Sequence, residues 1–136
     1  MSQEEVDAAN RLIIDLISKY RVIIAGCREF ADYELLKEKC DFYLQNNKKE
    51  DIVIVTGHAP GADALGERYA QERGFLLETY PADWKAHGRA AGPIRNARMA
   101  SAANSLIAFW DGKSRGTKNM IETAKNHNLK VVVVRY

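Results

Sequence analysis

Short apolar runs alternate along the chain with segments in which apolar residues recur every three or four positions. The runs predict β-strands, and the three-to-four spacing predicts helices. Strands are expected at residues 21–26, 52–56, 75–80, 105–110 and 130–136. Helices are expected at residues 4–20, 32–44, 93 to about 103, and 117–127. A further helix is expected after the strand at 52–56 and ends at about residue 73. Residues 81–92, rich in alanine, glycine and charge, are predicted to form a long loop.

This alternation also predicts the fold class. Wholly apolar strands between helices are typical of a parallel sheet covered on both faces. With right-handed crossovers, the result is an α/β fold, a Rossmann-like, doubly wound three-layer sandwich with a mainly parallel sheet of about five strands. At 136 residues the chain is expected to form a single domain, 1–136, with residues 1–20 as an extra N-terminal helix. That helix has an additional apolar face, and one expectation is that copies of the chain associate through this face as a homo-oligomer.

The composition narrows the class of protein. The sequence has 20 basic and 18 acidic residues, a formal net charge of +2, which does not by itself indicate binding to nucleic acid or membranes. Two cysteines without metal-ligand spacing around them predict neither a disulfide scaffold nor a metal, and no cofactor is expected. The polar, acidic N-terminus is not typical of a secretory signal. No apolar run approaches the roughly 20 residues that span a bilayer, so a cytoplasmic protein is expected.

A buried strand, a glycine loop and the start of a helix follow one another within residues 52–70. The first N–H groups of a helix have no intrahelical acceptor and lie at the positive end of its dipole. Glycines there let a ligand approach the backbone, so Gly57, His58, Gly61 and Asp63 are candidate residues around a phosphate. A tight strand-to-helix turn would also explain the glycines. The Asp63 carboxylate would repel a phosphate beside it; the two alternative roles for Asp63 are to accept from a sugar hydroxyl and to hold the loop.

Positive charge gathers near the helix that is predicted to begin at Pro93. Arg95 and Arg98 share one face of this helix. Cations in a first helical turn oppose the dipole by roughly 0.3–1 kcal/mol each, so stability alone does not favour them there. An anionic ligand would explain them, which makes Arg95 and Asn96 candidate binding residues. A solvated basic loop paired with surface carboxylates is the alternative.

A second glycine loop, at residues 111–117, joins a buried strand to a helix and carries hydroxyl groups. It lacks the spacing of a P-loop, so an ATPase of that class is not indicated. Its candidate binding residues are Asp111, Ser114, Gly116 and Thr117, with Asp111 placed to accept from a ribose diol. Asp-Gly is also simply a common turn.

The residues after the first strand complete the set. Gly26, Cys27 and Arg28 are candidate binding residues, with Arg28 as an anion clamp. Glu29 and Asp111 are the candidate carboxylates for acid–base chemistry, and the catalytic residues otherwise stay unknown. A nucleophilic Cys27 would need a base, and the sequence ties no histidine to it. Because ligands bind beyond the carboxyl ends of parallel strands, all these stretches are expected around one ligand.

Taken in order, the segments RVIIAGCREF, VTGHAPGADALGERYA, GPIRNARMA and SRGTKNMIETA resemble the SLOG superfamily of Rossmann-like proteins. This superfamily includes the DNA-processing protein DprA, the LOG phosphoribohydrolases and the YspA-like domains, of which the YspA-like branch is most similar. The resemblance implies a pocket for a nucleotide or a nucleotide-derived ligand. It places these residues around that pocket: Gly57, Gly61, Asp63, Arg95, Asn96, Gly116 and Thr117.

The chain departs from the LOG enzymes at their catalytic glutamate. In their PGGxGTxxE motif the glutamate stands three residues after the threonine, and here that position is Met120. Glu122 projects about 160° away from Met120 on a helix of 3.6 residues per turn and pairs naturally with Lys118. LOG-type hydrolysis is therefore not supported at its key residue, and whether the protein is an enzyme stays open.

The leading hypothesis from the sequence is a domain that binds or senses a nucleotide-like small molecule. Backbone N–H groups and arginines would hold its phosphate, and Trp84 or Trp110 would contact a base or sugar. The alternatives are a nucleoside 5'-monophosphate N-glycosidase and a DprA-like accessory protein that processes nucleic acid. Neither a broad basic surface nor interleaved aromatic residues are evident, so nucleic acid is not expected as a partner. Nor is a membrane.

Overall fold

The computed structural model describes the backbone of residues 1–136 and all side chains except those of residues 15–17. Five parallel strands form one sheet in the order β3-β2-β1-β4-β5. The strands are β1 (Tyr20–Gly26), β2 (Ile52–Thr56), β3 (Leu76–Thr79), β4 (Ser105–Trp110) and β5 (Lys130–Arg135). The predicted α/β, Rossmann-like fold is confirmed.

Six helices connect and flank these strands. They are α1 (Gln3–Ser18), α2 (Tyr33–Leu44), α3 (Ala62–Arg73), α4 (Trp84–His87), α5 (Ala91–Ala102) and α6 (Arg115–Asn126). On one face of the sheet, Leu36 of α2 and Tyr69 of α3 are buried in the first core. On the other face, Met99 of α5 and Met120 of α6 are buried in the second. Each face of the wholly apolar central strands is therefore covered by helices, as the sequence pattern predicts.

Two helices begin two residues earlier than the sequence pattern predicts. The segment predicted as a loop contains α4 and a short 3-10 helix, Gly88–Ala90, and α5 begins at Ala91. Pro93 is therefore the third helical residue, a position where the missing N–H removes no intrahelical hydrogen bond. Helix α6 begins at Arg115 rather than at Thr117, because the Ser114 side chain caps its N-terminus by accepting from the Thr117 N–H.

Helix α1 leaves much of its apolar surface in contact with solvent. Leu12, Ile13 and Ile14 are each more than half exposed. Tyr20, predicted as the end of this helix, instead begins β1. The homo-oligomer suggested by the additional apolar face stays a prediction. No helix in the described part of the chain is long and apolar enough to cross a membrane.

The strand order fixes where a ligand can bind. The chain runs outward from β1 through β2 to β3, then returns to place β4 on the other side of β1. The connections that follow β1 and β4 therefore lead to helices on opposite faces of the sheet. Such a switch point opens a crevice at the carboxyl ends of the two strands, which is where open α/β sheets bind ligands.

Candidate functional site

A cleft of about 720 Å³ lies at the carboxyl ends of β1 and β4. Ten of the thirteen predicted ligand-binding residues line it: Gly26, Cys27, Arg28, Asp63, Arg95, Asn96, Asp111, Ser114, Gly116 and Thr117. Glu29, the other candidate acid, lines it as well. Cavities of this volume are typical of sites for small molecules and cofactors. The structure thus brings together residues from four separate stretches of the chain, although their binding role stays a prediction.

Three predicted residues, Gly57, His58 and Gly61, do not line the cleft. At Gly57 the space that a side chain would fill is taken by the Arg95 guanidinium. A Cβ there would lie 2.2 Å from Arg95 Nη1 and 2.8 Å from the Asp63 carboxylate. The glycine pattern indicates that some group lies close to the backbone, and at Gly57 that group is the Arg95 side chain rather than a ligand.

Gly61 makes room for another part of the chain. Its φ of +81° and ψ of −126° lie in a region that favours glycine, and its Cα lies against the carbonyl groups of Cys27 and Arg28. The Cys27 carbonyl accepts a hydrogen bond from the Ala62 N–H at 3.2 Å. The start of α3 is thus bound to the β1 connection, which fixes the position of Cys27 at the base of the cleft.

His58 belongs to a separate polar cluster at the end of β2. Its Nδ1 lies 3.0 Å from the Glu67 carboxylate, which also accepts from the Thr56 hydroxyl at 2.8 Å. The Cys27 thiol instead lies 3.8 Å from the Thr117 hydroxyl. The structure therefore pairs His58 with Glu67 and does not place it as a base for Cys27.

Asp63 is the most deeply buried acid of the cleft, with 5% of its surface exposed. Burial raises its pKa to about 6, against the opposing effects of hydrogen bonds from the Ala59 and Gly57 N–H groups and the positive charge of Arg95. Its carboxylate accepts from the Ala59 N–H at 3.3 Å. Asp63 therefore holds the glycine loop in place, which is one of the roles that the sequence suggests for it.

Arg95 is fixed by hydrogen bonds inside the protein. Its Nη1 donates to the Gly57 carbonyl, and its Nε donates to the Asn96 side-chain oxygen at 3.0 Å. The Asn96 amide in turn donates to the Asn119 side-chain oxygen at 2.9 Å. This chain of contacts joins α5 to α6 and leaves Arg95 Nη2 as the part of the guanidinium not used in these bonds. Arg98 lies outside the cleft, over the Tyr80 ring.

The connection between β4 and α6 forms the opposite wall. The Asp111 carboxylate accepts from the Ser114 and Lys113 N–H groups at 2.9 and 2.8 Å, and these bonds lower its pKa. The Trp110 indole N–H donates to the Ser114 carbonyl at 3.1 Å. Trp110 thus holds this connection and does not line the cleft, whereas Trp84 does line it. This distinction separates two tryptophans that the sequence left equivalent.

The first turn of α6 faces the cleft. Its first two residues, Arg115 and Gly116, both line the cleft, and by their position their N–H groups have no intrahelical acceptor. Arg115 is exposed and stands where a cation opposes the helix dipole. Arg95 was predicted to be such a cation in a first helical turn. It lies in the second turn of its helix, because α5 begins at Ala91.

The cleft wall also contains Arg89, Arg115, Asn119 and Tyr136, which were not among the predicted ligand-binding residues. Ser114 was a usable signal for Arg115, because serine is a preferred N-cap and would have moved the helix start to residue 115. No comparable signal marks Asn119 or Tyr136, whose positions depend on how α6 and β5 pack.

Met120 stands at the sequence position of the catalytic glutamate of the LOG enzymes. Its side chain lines the cleft and is 2% exposed, while Glu122 faces solvent with its carboxylate 4.0 Å from the Lys118 ammonium. The position of the LOG catalytic glutamate therefore faces the cleft and holds a thioether, which cannot transfer a proton. Among the described side chains, no group of three or more His, Cys, Asp or Glu is arranged to hold a metal ion.

Replacing Gly57 with alanine is expected to destabilise the protein by about 1–3 kcal/mol, because the new methyl group overlaps the Arg95 guanidinium. Urea unfolding measures this change. The substitution should cost less in an Arg95→Met background, where the overlapping atoms are gone, so the two changes should not be additive. Equal costs in both backgrounds would contradict the packing described for Gly57.

Residues 20–87 match the sequence model of the family described as YspA, cpYpsA-related SLOG. The Gene 61 protein of Mycobacterium phage D29 is 33% identical to this chain over 118 residues, covering 82% of this chain and 94% of that protein. The chain belongs to the YspA, cpYpsA-related SLOG family. The SLOG match contains β1, β2 and β3 and ends at the last residue of α4, so it includes the β1 side of the cleft. The predicted resemblance is confirmed.

Two solved structures share the fold of this SLOG domain. DprA from Streptococcus pneumoniae aligns with a TM-score of 0.69 and 20% identity, over 90% of this chain and 53% of that chain. DprA from Helicobacter pylori aligns with a TM-score of 0.64 and 18% identity, over 90% of this chain and 68% of that chain. The SLOG domain thus spans about half the length of the S. pneumoniae chain.

The expectation that nucleic acid is not a partner is wrong. The fold is shared with H. pylori DprA, whose structure is reported for its single-stranded DNA binding mode. The net charge of the whole chain was a poor guide, because it averages over the surface. Arg28, Arg89, Arg95 and Arg115 all line the one cleft, and the half-exposed Trp84 lies beside them.

Proposed function

We propose that this SLOG domain binds a nucleotide or a nucleotide-derived ligand in the cleft between the ends of β1 and β4. The observation that carries the proposal is the gathering of four arginines and the first turn of α6 around that cleft. Arginine forks and helix N-termini both favour phosphate. Arg28, Arg89 and Arg115 form no ion pair with a described carboxylate, which leaves their guanidinium groups available to an anion.

The acids of the cleft favour a nucleotide over a bare inorganic anion. Glu29 and Asp111 line the cleft and Asp63 is buried in its wall, so hydroxyl acceptors stand among the phosphate donors. The Asp111 carboxylate stays ionised at neutral pH, because backbone N–H groups lower its pKa. A ligand that carries both a phosphate and sugar hydroxyls would satisfy both kinds of group.

The residues support a domain that binds the nucleotide without hydrolysing it as the LOG enzymes do. Met120 occupies the position that would need a carboxylate. A glycosidase reaction would have to use Glu29 or Asp111 instead. Release of free base from AMP, GMP, CMP or UMP, abolished by Glu29→Gln or Asp111→Asn, would establish that enzyme in place of a binding domain.

Nucleic acid is the second candidate ligand. The shared fold with DprA and the exposed pair of Trp84 and Arg28 at the cleft favour it. Single-stranded nucleic acid is held by backbone charges together with aromatic stacking. A short oligodeoxythymidine tested beside mononucleotides separates the two candidates, since a mononucleotide site should not gain affinity with strand length.

Replacing Arg115 with alanine is expected to weaken nucleotide binding about 10- to 100-fold, the value of one charge-assisted hydrogen bond. The variant should be at least as stable as the wild type, because the lost cation opposed the α6 dipole. Isothermal titration with AMP, ADP and ADP-ribose measures the affinity, and thermal unfolding checks the fold. A ligand at 100 times its dissociation constant should add about 2.7 kcal/mol to the free energy of unfolding.

Lys118→Ala is the matched control for Arg115→Ala. Lys118 is an exposed cation one turn further along α6, pairs with Glu122, and lies outside the cleft wall. It should leave affinity unchanged. If no nucleotide and no oligonucleotide stabilises the folded wild-type protein, the proposed function is wrong.

A further inference from the structure

Trp84 is an exposed aromatic side chain at the edge of the cleft. It is 51% exposed, although indole rings are highly buried on average. It lines the cleft, and its ring edge lies over Gly92, where a Cβ would come within 3.5 Å of the Trp84 ring. Much of the indole surface is therefore left to solvent in a wall otherwise rich in polar groups.

Arg28 is the cation nearest this ring. Its guanidinium carbon is 5.8 Å from the centre of the Trp84 ring. Arg73, Arg98 and Arg135 lie at similar distances, 5.3–5.6 Å, from the centres of their neighbouring aromatic rings, whereas Arg68 lies 3.8 Å from that of Tyr33. Two planar groups that hold a third flat ring between them must stand about 7 Å apart, twice the contact distance of about 3.5 Å. The guanidinium carbon lies at most 5.8 Å from the plane of the Trp84 ring, so Arg28 must move away from Trp84 before a base can enter between them.

We propose that Trp84 and Arg28 form a slot that holds the nucleobase of the ligand by stacking, an inference that rests on the proposed nucleotide-binding function. Arg28 is exposed and has a flexible side chain, so its guanidinium can move away from the ring to admit a base. The guanidinium plane and the indole ring then contact opposite faces of the base.

The slot assigns an orientation to the ligand. The base lies on the α4 side of the cleft, beside Trp84, and the phosphate lies toward the first turn of α6, beside Arg115 and Gly116. Stacking contacts the face of a base rather than its edge, and every base has such a face. The slot therefore selects ligands with a flat ring over sugar phosphates, and discriminates little between purines and pyrimidines by hydrogen bonding.

The test compares AMP, GMP, CMP and UMP with ribose 5-phosphate by isothermal titration. In Trp84→Ala the nucleotides should bind about 5- to 150-fold more weakly, since stacking of one base is worth about 1–3 kcal/mol. Ribose 5-phosphate should bind the variant and the wild type equally. Trp84→Phe keeps an aromatic face and should retain most of the affinity. Arg28→Lys keeps the charge without the planar face, and should weaken the nucleotides more than ribose 5-phosphate.

Phe42→Ala is the matched control, because Phe42 is an aromatic residue 61% exposed on α2 and outside the cleft wall. It should not change affinity. Tryptophan fluorescence gives a second readout. A bound base should quench Trp84 in the wild type, and the quenching should disappear in Trp84→Phe, where only Trp110 emits.

Nucleotide binding to Trp84→Ala with wild-type affinity would overturn the slot and leave the proposed function intact. Equal weakening of nucleotides and ribose 5-phosphate would also overturn it, because the effect would then not come from the base. Failure of every nucleotide to bind the wild type would instead reject the proposed function, and the slot with it.

Discussion

The Gly61→Ala variant is expected to lose about 4 kcal/mol of stability. Two penalties of about 1–3 kcal/mol each contribute, one for a side chain in a backbone region that favours glycine and one for overpacking. Gly61 has a φ of +81°, and a Cβ there would lie 2.3 Å from the Cys27 carbonyl oxygen. The obstacles are the backbone carbonyl groups of Cys27 and Arg28, so no side-chain rotation can relieve the overlap. A loss of this size is a large part of the stability of an ordinary domain.

Thermal and urea unfolding of the variant measure this loss. Gly116→Ala is the matched control, because a Cβ at Gly116 would meet no heavy atom within 4 Å. Since Gly116 lies in the first turn of α6, alanine there should leave stability unchanged or raise it by up to about 1 kcal/mol. A Gly61→Ala protein as stable as the wild type would show that the connection between Cys27 and α3 is not packed as described.

The second large effect is a dependence of stability on pH that comes from Asp63. The pKa of Asp63 in the folded protein is about 6, while the ordinary value is 3.8. Between these values the folded protein keeps a proton that the unfolded chain has released. The stability associated with this proton is therefore fully present below about pH 4 and is lost as the pH rises through 6. The loss is about 3 kcal/mol, at 1.36 kcal/mol for each pKa unit.

Asp63→Asn should remove this dependence, because the amide does not ionise. The difference in the free energy of unfolding, wild type minus variant, should be about 2.4 kcal/mol larger at pH 4 than at pH 7.5, because the unfolded chain is already partly ionised at pH 4. Taking the difference at each pH cancels the other carboxylates of the chain. A difference that stays constant over this range would mean that Asp63 is ionised throughout, and would contradict the burial described for it.

The strands were the most predictable part of the fold. The apolar runs at residues 52–56 and 105–110 match β2 and β4 residue for residue. Buried parallel strands are apolar on both faces, so their limits are visible as changes in polarity alone. Helix starts were less predictable, because they depend on capping. The starts of α5 and α6 each lie two residues before the predicted position.

The candidate site was predicted unevenly, for a physical reason. A glycine in a sequence signals that something approaches the backbone, but not what approaches it. At Gly57 the approaching group is the Arg95 guanidinium, and at Gly61 it is the Cys27 carbonyl, so neither lines the cleft. Residues at the carboxyl ends of β1 and β4 line the cleft together, because the carboxyl ends of parallel strands lie along one edge of the sheet.

The hydrogen bonds of Arg95 have a consequence for the entropy of binding. Its Nε and Nη1 are held by Asn96 and Gly57, so this side chain loses its rotamer freedom when the protein folds. Arg28 and Arg115 are exposed, and each would lose about 0.5–1.5 kcal/mol of conformational freedom only when a ligand arrives. The cleft therefore has a rigid cation near its base and adaptable cations at its rim. A recognition site built in this way can hold one common group in a fixed place while it accommodates ligands that differ elsewhere.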